Sequence, residues 1–134
     1  MKKQIMQERH TNREKYFNEQ SITTKKYVIP FLSESKILDE NTSVLEIGCG
    51  EGGNLVPFVE AGCKRIVGVD LSGKKIENAI VFYDNLKISS KVLKLESSNI
   101  FSVVLKYPFF TPLYNSIKLV NLFFVAVPYV VECS

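Results

Sequence analysis

The pattern of apolar and polar positions divides the chain into three parts. Residues 1–12 are polar, residues 13–100 alternate between strand-like and helix-like apolar patterns, and residues 101–134 are apolar without a sustained period. We therefore expect a polar N-terminal arm, one α/β unit and an irregular apolar C-terminal tail. A length of 134 residues leaves room for one small domain.

The middle part predicts strands that alternate with helices. Short β-rich runs predict strands at Ser43–Ile47, Arg65–Asp70 and Lys91–Leu95. Helical patterns cover residues 13–32, 54–61 and 74–86. Because strands separated by helices pair in parallel with right-handed crossovers, the fold class is α/β with an open parallel sheet.

Two of the predicted helices have a recognisable inward face. In the last helix the inward side chains are Ile76, Ala79, Ile80 and Tyr83. In the first helix, spacings of three and four place five residues on one side: Tyr16, Gln20, Thr24, Tyr27 and Phe31. We interpret this second set as core packing, with a lid over a bound ligand as the alternative.

Four glycines lie within six positions between the first predicted strand and the next helix. The loop reads Gly48-Cys49-Gly50-Glu51-Gly52-Gly53. Glycines allow a tight turn and a close approach of ligand to backbone, and the helix that follows directs its first N–H groups into the same space. Asp70 ends the second strand, 22 residues beyond Gly48, where a carboxylate reaches the ribose of an adenosine-containing ligand.

Two ligand classes fit this loop. The spacing Gly48-x-Gly50-x-x-Gly53 satisfies the fingerprint of nicotinamide and flavin dinucleotides. The same loop is also preceded by an acidic residue, Glu46, two positions before the first glycine. A carboxylate there suits a ligand with an ammonium group and would repel a pyrophosphate. The pattern Glu46-x-Gly48-x-Gly50-x-Gly52 resembles motif I of the class I S-adenosylmethionine-dependent methyltransferases.

The resemblance extends over residues 13–100, including a motif II-like segment, Val67 to Ser72. It implies a Rossmann-like partial parallel sheet with flanking helices, and S-adenosylmethionine as cofactor. By this resemblance Glu46 binds or orients the methionine amino group, directly or through water, and Gly48 and Gly50 line the methionine. Asp70 holds both ribose hydroxyls and Leu71 packs against adenine. The candidate cofactor-binding residues are Tyr16, Glu46, Gly48, Cys49, Gly50, Gly52, Asp70, Leu71, Asn99 and Ile100.

The implied activity is methyl transfer to an acceptor that the sequence does not identify, and no catalytic base can be named. Two alternatives stay open: a nicotinamide- or flavin-dependent oxidoreductase fragment, and a remnant that binds an adenosine ligand, or none, without turnover. Cys49 has no nearby histidine, so we interpret it as a core residue and not a nucleophile.

Charge and cysteine content limit the expected partners. The formal net charge is +3, and residues 1–26 hold seven lysines and arginines against three glutamates. We interpret this basic segment as a solvated helix face, so nucleic acid is not expected as a partner. Three cysteines and one histidine supply too few ligands for a zinc site, and no metal is expected. The first hundred residues are typical of a reduced, cytoplasmic protein.

The tail does not continue the α/β pattern. Residues 101–134 contain only three charged side chains and eight of the fifteen aromatic ones. Their longest uncharged apolar run, Leu119 to Val131, is 13 residues long, and a membrane-spanning helix needs about 20. We expect a chain that is incomplete as a catalyst and self-associates through the open edge of its first strand, unless Ile117 to Val127 covers that edge.

Overall fold

A computed structural model describes residues 11–35, 37–99, 102 and 105–107. Within these residues, three parallel strands form an open sheet in the order β1-β2-β3. They are β1 (Ser43–Ile47), β2 (Arg65–Asp70) and β3 (Leu93–Ser97). The first two strands and the α/β class confirm the predictions. The third begins two residues late, because Val92 donates its N–H to Ser89 in a turn that precedes it.

The helices flank this sheet. They are α1 (Arg13–Thr23), a π-helical segment (Thr24–Val28), α2 (Ile29–Ser33), a 3₁₀ turn (Gly53–Leu55), α3 (Val56–Glu60) and α4 (Gly73–Asn85). Side chains cap two of the N-termini: Asn12 Oδ1 accepts from Lys15 N–H at 3.0 Å and Ser72 Oγ accepts from Lys75 N–H at 3.3 Å. Satisfying these free N–H groups fixes where α1 and α4 begin.

The π-helical segment changes which face of the N-terminal helix points inward. Tyr27 and Phe31 were predicted on the inward stripe, but they are 61% and 71% exposed. The prediction is wrong because Ile29 donates its N–H to Thr24, five residues back, and this wider turn rotates the rest of the helix by one position. The partly buried side chains that replace them are Val28, Ile29 and Leu32.

Helix α4 buries three of its four predicted inward residues. Ile76, Ala79 and Tyr83 lie in the core, whereas Ile80 is 47% exposed. Ile80 lines an open cleft of about 560 Å³ beside β3, together with Leu95 and Tyr107. Ile80 therefore lines a cleft between α4 and β3 and is not enclosed in the core.

Helix α1 belongs to the same core as the sheet. Phe17 is 3% exposed, and its ring centroid lies 4.9 Å from that of Phe82 and 5.8 Å from that of Tyr83, both on α4. Aromatic pairs at these distances stabilise beyond the area they bury. The N-terminal helix is thus an integral layer of the fold.

Several predictions concern residues that the structure does not describe. Ile100, most of the tail and its candidate strand, Ile117 to Val127, lie outside the described residues. Within the described part, no strand pairs with the free edge of β1, so self-association through that edge stays a prediction. None of the helices described here is long and apolar enough to cross a membrane.

Candidate functional site

The parallel register brings the end of β1 and the end of β2 to one edge of the sheet. Ile47 pairs with Val69, and the N–H groups of Gly48 and Cys49 both donate to the Val69 carbonyl, at 2.7 and 2.9 Å. The glycine loop therefore starts beside the last residues of β2. Ligands of open α/β sheets bind at this carboxyl edge.

Three glycines of the loop adopt the left-handed conformation. The φ angles are +74° at Gly48, +57° at Gly50 and +79° at Gly52. A side chain at these positions costs roughly 1–2 kcal/mol in backbone strain. Gly52 is also covered from the other side, because the hydroxyl of Tyr83 donates to its carbonyl oxygen. The loop is thus a fixed turn, and its glycines carry no side chains that would stand between a ligand and the backbone.

Gly53 is the point at which α1 packs on the loop. A Cβ at this position would lie 2.9 Å from the Cβ of Gln20 and would press on the carbonyl of Phe17. We expect Gly53→Ala to destabilise the protein by about 1–3 kcal/mol, because α1 must move to make room. Urea unfolding measures the loss.

The matched control is Gly73→Ala at the first residue of α4. There the new Cβ would meet only Ser97 Oγ, at 3.5 Å, and alanine is the better helix former. Equal stability changes in the two variants would contradict close packing of α1 on the loop.

Glu46 is a buried carboxylate with one unused oxygen. The side chain is 5% exposed, and its Oε1 accepts from Asn54 Nδ2 at 2.9 Å. Its Oε2 is buried and has no hydrogen-bond partner among the described residues. Burial, together with the negative charge of Asp70, raises the pKa of Glu46 to about 7, against a lowering by the Asn54 hydrogen bond. Because an unpaired buried acceptor is costly, this oxygen indicates a donor supplied by a ligand.

The Asn54 amide is held in turn by the N-terminal helix. Thr24 is buried, and its hydroxyl donates to Asn54 Oδ1 at 2.9 Å. Sequence reasoning missed this role for both residues, because Thr24 was treated as one member of a packing stripe. The signal available was an amide just after the glycines, eight residues from Glu46.

Asp70 ties the glycine loop to the start of α4. Its Oδ2 accepts from Gly50 N–H at 2.9 Å, and its Oδ1 accepts from Ser72 N–H at 2.8 Å. Each carboxylate oxygen keeps a further lone pair for a ribose hydroxyl. The side chain is half-buried, so it remains open to a ligand on one side.

The glycine loop also contains an acidic residue, Glu51, for which the sequence predicted no role. Glu51 is buried, and its Oε1 lies 3.1 Å from Nη1 of Arg13 without the geometry of a hydrogen bond. This ion pair holds the loop against the first turn of α1. Breaking such a pair is costly because it leaves an unpaired buried charge.

The remaining predicted residues lie in varied positions. Cys49 is buried; this burial and the charges of Glu46 and Asp70 raise the pKa of its thiol, so the residue stays neutral and does not serve as a nucleophile. Leu71 is 82% exposed and Tyr16 is half-buried on α1. Asn99 is exposed, and its Oδ1 accepts from Ser102 N–H at 3.0 Å. Their contacts with a cofactor stay predictions.

The residues at this edge fit S-adenosylmethionine. An unpaired buried carboxylate oxygen suits the methionine ammonium group, the backbone is open at Gly48 and Gly50, and Asp70 lies at the strand end where a ribose is expected. No cluster of three histidine, cysteine or acidic side chains that could hold a metal occurs in the described ranges. The fold and the site define a class I S-adenosylmethionine-dependent methyltransferase.

Comparison with known proteins specifies the family. Residues 3–108 match the model of the mRNA (guanine-N(7))-methyltransferase domain, and the chain belongs to this family. S-adenosylmethionine is the methyl donor of these enzymes, which confirms the predicted cofactor and enzyme class.

Individual relatives match over shorter segments. The mRNA cap guanine-N(7) methyltransferase of Candida glabrata is 36% identical over 59 residues, covering 44% of this chain and 14% of the relative. That of Saccharomyces cerevisiae is 32% identical with the same coverage. A probable mRNA-capping enzyme of Acanthamoeba polyphaga mimivirus is 38% identical over 52 residues, 36% of this chain and 4% of the relative. The chain therefore matches only a small part of the length of these relatives.

The family changes one expectation about partners. Nucleic acid was not expected, because the basic N-terminal segment lacks an arginine-rich run. The names of the family and of these relatives refer to mRNA, which goes against that expectation. The physical reason is that net charge reports phosphate contacts, whereas an enzyme can recognise a nucleotide through its base. The comparisons give no support to the oxidoreductase alternative.

Proposed function

We propose that this chain binds S-adenosylmethionine and forms the cofactor-binding part of an enzyme that methylates N7 of the guanine in an mRNA cap. The observation that carries the cofactor assignment is the unpaired buried Oε2 of Glu46 beside Asp70 and the glycine loop. The acceptor assignment rests on the family match over residues 3–108.

In this proposal the side chains of the site bind the cofactor and orient it. Glu46 accepts a hydrogen bond from the ligand ammonium group through Oε2, and Asp70 accepts from the ribose hydroxyls. The positive φ angles of the loop let the ligand approach the backbone closely. Orientation of this kind provides much of the rate acceleration in group-transfer reactions whose leaving group is already activated.

The acceptor chemistry needs little help from acid–base groups. With its ammonium group at Glu46 and its ribose at Asp70, S-adenosylmethionine would supply an activated methyl group that guanine N7 would accept with its lone pair, while the sulfur would keep the electron pair of its former bond and the positive charge would pass to the guanine. N7 carries a lone pair and no proton, so this chain needs no general base for the transfer. The absence of a need for a base agrees with a site whose described residues are proposed to bind the cofactor only.

The test combines binding and transfer with the full chain. We expect isothermal titration to show binding of S-adenosylhomocysteine and none of NAD. Radiolabelled methyl groups from S-adenosylmethionine should pass to RNA with an unmethylated guanosine cap, and this result would overturn the expectation that the chain is incomplete as a catalyst. RNA whose cap is already methylated at N7, and RNA with a bare 5′-triphosphate, serve as controls and should remain unlabelled.

Two outcomes would contradict the proposal in different ways. Tighter binding of NAD than of S-adenosylhomocysteine would remove the cofactor assignment. Binding of S-adenosylhomocysteine without transfer to the capped RNA would contradict the acceptor assignment for this chain and favour the non-catalytic alternative.

A further inference from the structure

Three side chains from separate elements form one continuous hydrogen-bonded chain at the site. The hydroxyl of Thr24, in the π-helical segment, donates to Oδ1 of Asn54, in the 3₁₀ turn, at 2.9 Å. The amide Nδ2 of Asn54 donates to Oε1 of Glu46, at the end of β1, also at 2.9 Å. Thr24 and Glu46 are both buried, so water does not compete freely for these groups.

We propose that Thr24 and Asn54 are positioning residues: together they hold Oε1 of Glu46 and so keep Oε2 free for the ammonium group of the cofactor. The proposal rests on the function proposed above. It assigns to the N-terminal helix a specific part in cofactor binding, through one hydroxyl, in place of the aromatic lid considered from the sequence.

The direction of the donors carries the inference. An asparagine amide can turn either its oxygen or its NH₂ group toward a neighbour. Ionised Glu46 can only accept, so Asn54 turns Nδ2 toward it, and Oδ1 then faces Thr24, whose hydroxyl donates to it. With the hydroxyl removed, Oδ1 of Asn54 loses its donor in a part-buried place, so the amide is held less firmly and its hydrogen bond to Glu46 weakens.

Thr24 reaches the site because it lies two turns after the buried Phe17 on the inward face of α1, immediately before the widened turn. Thr24 is the first residue of the π-helical segment, and its carbonyl accepts from Ile29 N–H. Single π turns within helices recur at functional sites. The preceding residue, Thr23, makes the hydrogen bond that is usual for a threonine within a helix. Its side chain is exposed, and its hydroxyl donates to the Glu19 carbonyl at 2.8 Å.

The other titratable groups around Glu46 do not supply a positive charge. Asp70, at the end of β2, is negative and raises the pKa of Glu46. The pKa values of Cys49 in the loop and Tyr83 on α4 are both raised by burial and by Glu46 itself, so these groups stay neutral. Within the described residues the Asn54 hydrogen bond is therefore the contact that favours ionised Glu46, the form that binds an ammonium group.

The experiment compares two adenosine ligands across pH 6 to 8.5. S-adenosylhomocysteine carries the amino-acid ammonium group, and 5′-methylthioadenosine is the same kind of nucleoside thioether without it. We expect Thr24→Val to weaken S-adenosylhomocysteine about three- to tenfold, the scale of one neutral hydrogen bond, and to leave 5′-methylthioadenosine unchanged. The pH midpoint for S-adenosylhomocysteine should move upward. Asn54→Ala should show the same pattern.

The controls separate positioning from folding. Thr24→Ser keeps the hydroxyl and should bind like the wild type, and Thr23→Val should change neither ligand. An equal loss for both ligands in Thr24→Val, or a wild-type affinity and pH midpoint, would overturn this inference and leave the proposed function standing. A wild-type protein that does not bind S-adenosylhomocysteine would overturn both.

Discussion

The Glu46→Gln variant is expected to lose most of its affinity for S-adenosylhomocysteine and to be more stable than the wild type above pH 7. The loss follows from the missing negative charge: a hydrogen bond to a charged group is worth about 1.5–3 kcal/mol, or roughly 10- to 150-fold in affinity. The gain in stability follows from the burial of that charge, since Glu46 is 5% exposed and Oε2 is unpaired.

The sign of the pH dependence follows from the pKa of Glu46. Burial raises this pKa from 4.5 to about 7 in the folded protein. Below pH 4.5 the carboxyl group is protonated in both the folded and the unfolded chain and has no effect on the pH dependence. Between pH 4.5 and pH 7 the Glu46 carboxyl group is ionised in the unfolded chain and still protonated in the folded one, so the free energy of unfolding falls as the pH rises. Above pH 7 the full penalty is present, roughly 1–3 kcal/mol after allowing for the unpaired amide of the variant.

Thermal unfolding at pH 5 and pH 8, with titration of S-adenosylhomocysteine, checks both effects. The difference in stability between variant and wild type should be small at pH 5 and large at pH 8. Glu77→Gln is the control, because Glu77 is exposed and pairs with Lys74 on the helix surface. Undiminished affinity in Glu46→Gln would exclude the ammonium contact, and a pH-independent difference in stability would exclude a buried ionised carboxylate.

The parts of this site that were predictable from sequence are those encoded by neighbouring residues. Glu46, the glycines and the strands on either side form one local pattern, and the parallel register then places Asp70 beside Gly50. Buried parallel strands read as continuous apolar runs, which is why β1 and β2 were predicted with the correct bounds. In β3 the exposed Lys94 and half-buried Glu96 interrupt that run, so its position was shifted.

The contacts made by the N-terminal helix were not predictable in the same way. Thr24 and Asn54 are 30 residues apart, and their contact depends on which face the helix turns inward. The inward position of Thr24 was predicted, but its partner Asn54 was not. After Thr24, one π turn without a reliable sequence signal shifts every later residue by a position. The same limit applies to Arg13 and Glu51, whose ion pair requires the packed arrangement of α1 on the loop.

Phe17→Ala is expected to produce the largest loss of stability of the substitutions considered, about 3–5 kcal/mol. Phe17 is buried and packs on both Phe82 and Tyr83, so its removal leaves a cavity between α1 and α4. Tyr83 also donates to the Gly52 carbonyl, which couples this cavity to the cofactor loop. The variant should therefore bind S-adenosylhomocysteine more weakly, because a larger share of its molecules is unfolded.

Phe31 provides the matched control, because it lies on the same helical stretch and is 71% exposed. Phe31→Ala should change stability by no more than about 0.5 kcal/mol, as is usual for surface substitutions. Urea unfolding followed by circular dichroism and tyrosine fluorescence measures both variants in a chain without tryptophan. The original stripe predicted Phe31 as inward and gave no role to Phe17. Equal losses at the two positions would contradict the burial of Phe17 and favour the predicted inward stripe, whereas the expected contrast places α1 in the core.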